Sequence, residues 1–196
     1  IVRVPDGTTG DPGWNGDNIF YIHAPNVTVN GFTIDGDNPA VTTTLPGPGA
    51  NNFNGANVDA GFGIYLDSAG DAKATISNNF VRNFGELGIF LVGNNASGNH
   101  ANTISNNKVD NIPGIGFGQG IHVRSNAWAN ITGNHITRVN FGIAVENMSA
   151  AAESSLTPTV SDNVISSRST GIRTNSAYSY TGTHLHVTNN TISSFV

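Results

Sequence analysis

An all-β solenoid of parallel strands, about six coils of about 28 residues each, is the fold that this sequence predicts. Three observations lead there. A six-residue phrase recurs six times, as Val29–Ile34, Ile76–Val81, Ile104–Val109, Ile131–Ile136, Val160–Ile165 and Val187–Ile192, and from Ile76 onward its starts lie 28, 27, 29 and 27 residues apart. A second marker, Gly followed by Ile, stands upstream of the later phrases at Gly63, Gly88, Gly120, Gly142 and Gly171. Only 11% of the 196 residues are charged while 24 are Gly, a composition that suits short strands joined by tight turns better than helices.

Each coil is assembled from these markers in order. The Gly-Ile strand comes first. Its alternation points Ile64, Ile89, Ile121, Ile143 and Ile172 to one face with Leu66, Leu91, Val123, Val145 and Thr174, so these are core positions. A variable loop leads to a strand that ends in the phrase, and a second loop returns to the next Gly-Ile. Within the phrase, Asn79, Asn107, Asn134, Asn163 and Asn190 hold one place. Asn tolerates left-handed backbone, so this residue is expected to turn the chain between two strands. Stacked coil on coil, its amides are also expected to satisfy one another in a ladder. Three short strands per coil result. A propeller needs about 40 residues per blade, and the leucine-rich consensus is absent, so neither competes.

With these strands and phrases in place, residues 18–196 resemble the right-handed parallel β-helix superfamily of pectate-lyase-like repeats. The opening stretch Ala24–Pro39 is similar to the entry coil of repeats in large bacterial secreted and cell-surface proteins. The resemblance implies a right-handed parallel β-helix and a secreted or surface setting. It leaves activity open, because lyases, hydrolases, epimerases, tailspikes and adhesins share the fold. The paired Asp and Gly-His-Gly pattern of β-helix polygalacturonases is missing, as are the Tyr-Gly-Phe-Asp-Pro-His stretch of alginate epimerases and the carboxylate cluster of the pectate-lyase calcium site.

Residues 1–196 read as a single domain, expected to belong to a longer chain with neighbouring domains, because neither end supplies the polar cap an open solenoid edge needs. One segment breaks the period: residues 35–62 carry an excess rich in Pro, Gly, Asn and Thr, expected to project as a loop, whether functional or a plain insertion. The net charge of -5 gives no basis for nucleic-acid binding, and no run approaches the roughly 20 apolar residues of a membrane span. No cysteine is present, so neither disulfides nor thiolate metal sites arise. Glycosylation sequons at Asn26, Asn95, Asn130, Asn147 and Asn189 follow from the repeat's own Asn and Thr usage.

Register places two outward columns on the Gly-Ile face: Tyr65, Phe90, His122, Ala144 and Arg173, then Asp67, Val92, Arg124, Glu146 and Asn175. The resemblance makes this face the place to look for sugar. His122, Arg124, Glu146 and Arg173 form a patch with the chemistry of a uronate site: arginines to pair a carboxylate, His122 or an arginine as base, and Glu146 as acid or hydroxyl acceptor. The same residues also suit an ordinary solvated sheet, with Arg124 and Glu146 as a surface ion pair. Tyr65, Phe90 and Asp67 extend the patch, and Trp128, Tyr178 and Tyr180 in loop surroundings, with Trp14, offer ring faces to a sugar or cover the core. His184 and His186 are spaced for a metal but lack a third ligand, and Asp6, Asp11, Asp17, Asp35 and Asn38 read as turn residues before they read as calcium ligands, so no metal or cofactor is expected. The leading expectation is a rigid adhesive or glycan-binding scaffold. Its rivals are an enzyme acting on acidic glycans through His122, Arg124, Glu146 and Arg173, and a trimeric structural fibre.

Overall fold

The computed structural model describes residues 1–3, 18–40, 58–67, 73–93, 102–114, 118–146, 158–175 and 185–195, and every element among them is a strand. Parallel pairing is universal. One stack holds the phrase-leading strands β3 (Thr28–Asn30), β6 (Thr75–Ser77), β9 (Asn102–Ser105), β12 (Ala129–Thr132), β14 (Thr159–Ser161) and β16 (His186–Thr188) as a six-stranded sheet. A second holds the phrase-ending strands β4 (Thr33–Asp35), β7 (Phe80–Arg82) and β10 (Lys108–Ile112), with β1 (Val2–Arg3) added beside β4. The third holds β2 (Asn18–Ile22), β5 (Phe62–Asp67), β8 (Leu87–Val92) and β11 (Gln119–Arg124).

The structure is an all-β parallel solenoid of about four turns, fewer than the six coils expected. Six levels of phrase strand align, but the first and last have a neighbour on one side only. The expected loop between the third strand of one coil and the next Gly-Ile strand is missing late in the chain. Strands β13 (His135–Glu146) and β15 (Val164–Asn175) run 12 residues without a break and fuse two faces into one 11-stranded sheet. Arg138, at φ 52, and register shifts around Val139 turn the corner inside the strand, so no separate loop is required. Strand β17 (Thr191–Ser194) closes the last level against β15.

The two sequence markers meet inside the coil. A Cβ on Gly88 would lie 2.7 Å from Val109 Cγ1 and 2.7 Å from the Gly120 carbonyl oxygen. The branched residue that ends the phrase thus presses on the bare backbone of the Gly-Ile strand, and any side chain there would force the sheets apart. Around this contact, Ile64, Leu66, Ile89, Leu91, Ile121, Val123 and Ile143 are buried with the phrase residues Ile76, Ile104, Ile131 and Ile136 in one continuous core.

Turn and ladder belong to different residues, which corrects the expectation for the fixed asparagines. The left-handed position is the residue before them: Gly31, Asn78, Asn106, Gly133, Asp162 and Asn189 all have φ between 54° and 79°. The fixed Asn is the ladder. Asn79 donates its backbone N–H and its Nδ2 to Asn107 Oδ1, each at 3.0 Å, and the same pair of bonds links Asn107 to Asn134, Asn134 to Asn163 and Asn163 to Asn190. Each Nδ2 also donates to the carbonyl that opens the preceding phrase, as from Asn107 to Ile76 at 2.9 Å. The first coil carries Phe32 in this place, and its backbone N–H starts the ladder on Asn79 Oδ1 at 3.0 Å. A second, shorter ladder at another corner runs from Asn111 to Asn83 to Asp35, with Arg82 also on Asp35.

Of the 35–62 insertion, residues 41–57 lie outside the described residues. Its two ends are fastened together: Asp59 N–H donates to the Gly36 carbonyl at 2.8 Å, and Asn38 N–H donates to Asp59 Oδ2 at 2.8 Å.

Replacing Asn107 by Ala would strand the Asn79 N–H in the interior, at about 1–3 kcal/mol for a buried group left unpaired, and would take one bond each from the Ile76 carbonyl and from Asn79 Nδ2, which keeps the Val29 carbonyl at 2.9 Å. Asn107→Ala is therefore expected to lower unfolding free energy by about 2 kcal/mol or more. Asn190→Ala, at the end of the ladder where water reaches, should cost under about 1.5 kcal/mol. Urea titration of both variants measures the gap, and equal losses would remove the ladder from its structural role.

Candidate functional site

The long outward column is longer than the sequence suggests and is stacked. Parallel register sets Tyr21 beside Tyr65, Tyr65 beside Phe90, and Phe90 beside His122. Successive ring centroids are 5.4, 5.1 and 5.0 Å apart, with the last two pairs near parallel. Tyr21 went unseen because its strand, Asn18–Ile22, has no Gly-Ile marker. Its alternation, with Phe20 and Ile22 in register with Ile64 and Leu66, was the available signal. Tyr21 is exposed and its hydroxyl donates to Asp67 Oδ2 at 3.0 Å. Phe90 is buried against Phe62 and Leu87, so it supports the stack from beneath and presents no open face, contrary to its expected part in ligand contact.

Below this stack, one cleft of about 100 Å³ is lined by Glu86, Leu87, Gln119, His122, Arg124, Glu146 and Arg173. All four residues of the expected patch are in it. Register accounts for the convergence: His122 pairs with Ala144 and Ala144 with Arg173, while Arg124 pairs with Glu146. Ala144 leaves the space across which His122 and Arg173 both reach Glu146. His122 Nε2 approaches Glu146 Oε2 to 3.2 Å, and Arg173 Nη2 contacts Glu146 Oε1. The Arg173 contact is an ion pair and the His122 contact a polar one, both out of line for hydrogen bonds, so His122 Nε2 and Glu146 Oε1 remain without hydrogen-bond partners. The surface pair expected between Arg124 and Glu146 does not form, because those two nearer groups occupy the carboxylate. Arg173 also lies over the Phe141 ring, 4.6 Å from its centroid.

Burial sets the charges. His122 is 5% exposed, and its desolvation pushes the imidazole pKa below 6.5 despite the neighbouring carboxylate, so it is neutral near pH 7. The His122 contact, followed by Arg173, holds the Glu146 carboxyl below its usual range. Glu86 goes the other way: burial alone raises it. Gln119 Oε1, Arg124 Nε and Arg173 Nε are buried without hydrogen-bond partners, an unusual concentration of unspent polar groups. Glu86 and Gln119 were missed in sequence because both precede the Ile that anchors the register, where inward and outward no longer alternate simply.

Trp128 is not a surface ring. It is 1% exposed inside the main core, at the corner between β11 and β12, and its carbonyl accepts from Asn102 Nδ2 at 2.9 Å. Tyr178, Tyr180, Trp14, His184, Asp6, Asp11 and Asp17 lie outside the described residues. Asp35 is held by Arg82 and Asn83, and no group of three His, Asp or Glu among the described residues is arranged to hold a metal ion. Among the described residues no helix is long and apolar enough to cross a membrane. In comparison with known proteins, no family model, curated protein or solved structure matches the chain.

The imidazole resonances of His122 are expected to titrate with a midpoint below 6.5. Glu146 favours the charged imidazole, so Glu146→Gln should move the midpoint lower still. An upward move, followed by NMR across a pH series, would contradict the arrangement described.

Proposed function

We propose that this solenoid is a rigid scaffold that binds an acidic polysaccharide along its Gly-Ile face. The observation that carries the reading is the convergence of Arg124, Arg173 and His122 in one cleft at the foot of the Tyr21–Tyr65–Phe90–His122 stack. A cleft of about 100 Å³ has room for a carboxylate. The carboxylate of a uronate would sit against the guanidinium groups, with ring faces resting on exposed Tyr21 and half-buried Tyr65. The parallel spacing of about 4.8 Å between coils provides a straight track for a chain of sugars. A secreted or cell-surface role in a bacterium, with neighbouring domains in a longer chain, and kinship with the pectate-lyase-like superfamily accord with this reading. Nucleic acid and lipid bilayers are not proposed as partners, and no cofactor is assigned.

One observation favours a second reading, an elimination catalysed on the same polymer. A neutral, buried imidazole beside two arginines suits removal of the proton next to a uronate carboxylate. A tailspike-like fibre, the third reading, would show as a trimer in light scattering.

Calorimetric titration with oligogalacturonate and with a neutral glucose oligomer tests the proposal. Binding of the acidic oligomer alone is expected, weakened about 10-fold or more in Arg124→Ala and in Arg173→Ala, as for loss of a charged hydrogen bond. Equal affinity for the neutral sugar would overturn it. Ultraviolet absorbance of an unsaturated product, growing with time in the wild type and absent in Arg124→Ala, would instead make the chain a lyase.

A further inference from the structure

Glu86 lines the same cleft, and its surroundings give it a part that the other residues do not fill. Its backbone is pinned on both sides: Glu86 N–H donates to the Gly61 carbonyl at 3.0 Å, and Gln119 N–H donates to the Glu86 carbonyl at 2.9 Å. The side chain is therefore presented from a fixed point, half-buried, onto the cleft. Among the described residues no cation pairs with its carboxyl group, because Arg173 is engaged by Glu146 and Phe141. Beside it Gln119, 3% exposed, holds a buried oxygen with no hydrogen-bond partner.

Charge balance then sets a condition. The charged and titratable groups lining the cleft are Arg124, Arg173, His122, Glu146 and Glu86. Two arginines already face two carboxyl groups, and His122 is neutral. A uronate entering with its own negative charge leaves three carboxylates on two guanidinium groups in a desolvated space, which like charges disfavour. One proton restores the balance. We propose that Glu86 completes the cleft as a hydrogen-bond donor to the bound sugar acid, so that ligand binding takes up one proton there. The inference rests on the uronate-binding reading. It makes the site stronger in mild acid, where the burial that raises Glu86 favours its protonated form while the sugar acid stays ionised.

Oligogalacturonate titrations of the intact chain near pH 7 and near pH 5, in buffers of different ionisation enthalpy, read both affinity and protons. The wild type is expected to bind about 10- to 30-fold tighter at the lower pH and to take up close to one proton at the higher, as proton linkage requires. Glu86→Gln, which keeps a donor without a titrating group, should bind with little pH dependence and no proton uptake. Wild-type binding without uptake, or uptake undiminished in Glu86→Gln and so carried by His122, would overturn the assignment while leaving uronate binding intact. Absence of binding at either pH would overturn the binding reading itself, and the assignment with it.

Discussion

A parallel solenoid drives its corners, not only its strands, into the interior, and there the backbone can no longer pair within a regular ladder. Every buried N–H and carbonyl at such a corner must find another partner or cost the fold about 1–3 kcal/mol. The fixed asparagines meet this demand. One side-chain oxygen takes two donors from the coil before, and one side-chain nitrogen returns a bond to that coil's carbonyl. Because each amide needs the next one at the same height, the ladder also ties the coils into one register. The left-handed residue just ahead of it aims the amide inward. The glycine column depends on the same register, since it accepts the phrase-ending Val or Ile only when the coils stand level.

A locked register is what allows a site to exist on this face. Residues 22 to 49 positions apart along the chain, such as Arg124, Glu146 and Arg173, become neighbours because their strands are paired residue for residue. The face is consequently rigid, and its groups are oriented before any ligand arrives, which reduces the ordering cost of binding. The small Ala144 matters as much as its charged neighbours. A larger side chain there would separate His122 from Arg173 and divide the cleft.

Much of this was legible in residue order. The repeat announced the solenoid, the parity of the Gly-Ile strand separated Ile121 and Val123 from His122 and Arg124, and the four-residue patch could be assembled without coordinates. Three things escape that reading. Trp128 reads like a loop aromatic because its neighbours are polar, yet it turns inward at a corner where no alternation rule applies. The turn was assigned to the fixed Asn instead of the residue before it, although Asn, Gly or Asp in all six cases carried the signal. Glu86 and Gln119 sit where the chain enters the strand, so their side chains escape the period of two.

The sequence by itself determined the architecture, the core positions short of the last coil, where Thr174 is exposed, and which side chains share a face, because all three follow from periodicity, and periodicity is local arithmetic. Only the tertiary structure decided which partners those side chains choose. Glu146 takes His122 and Arg173 and leaves Arg124, its register neighbour, unpaired. Such choices depend on rotamers, on desolvation and on the gap left by a single alanine. Those are properties of packed volume, and no pattern along the chain encodes them directly.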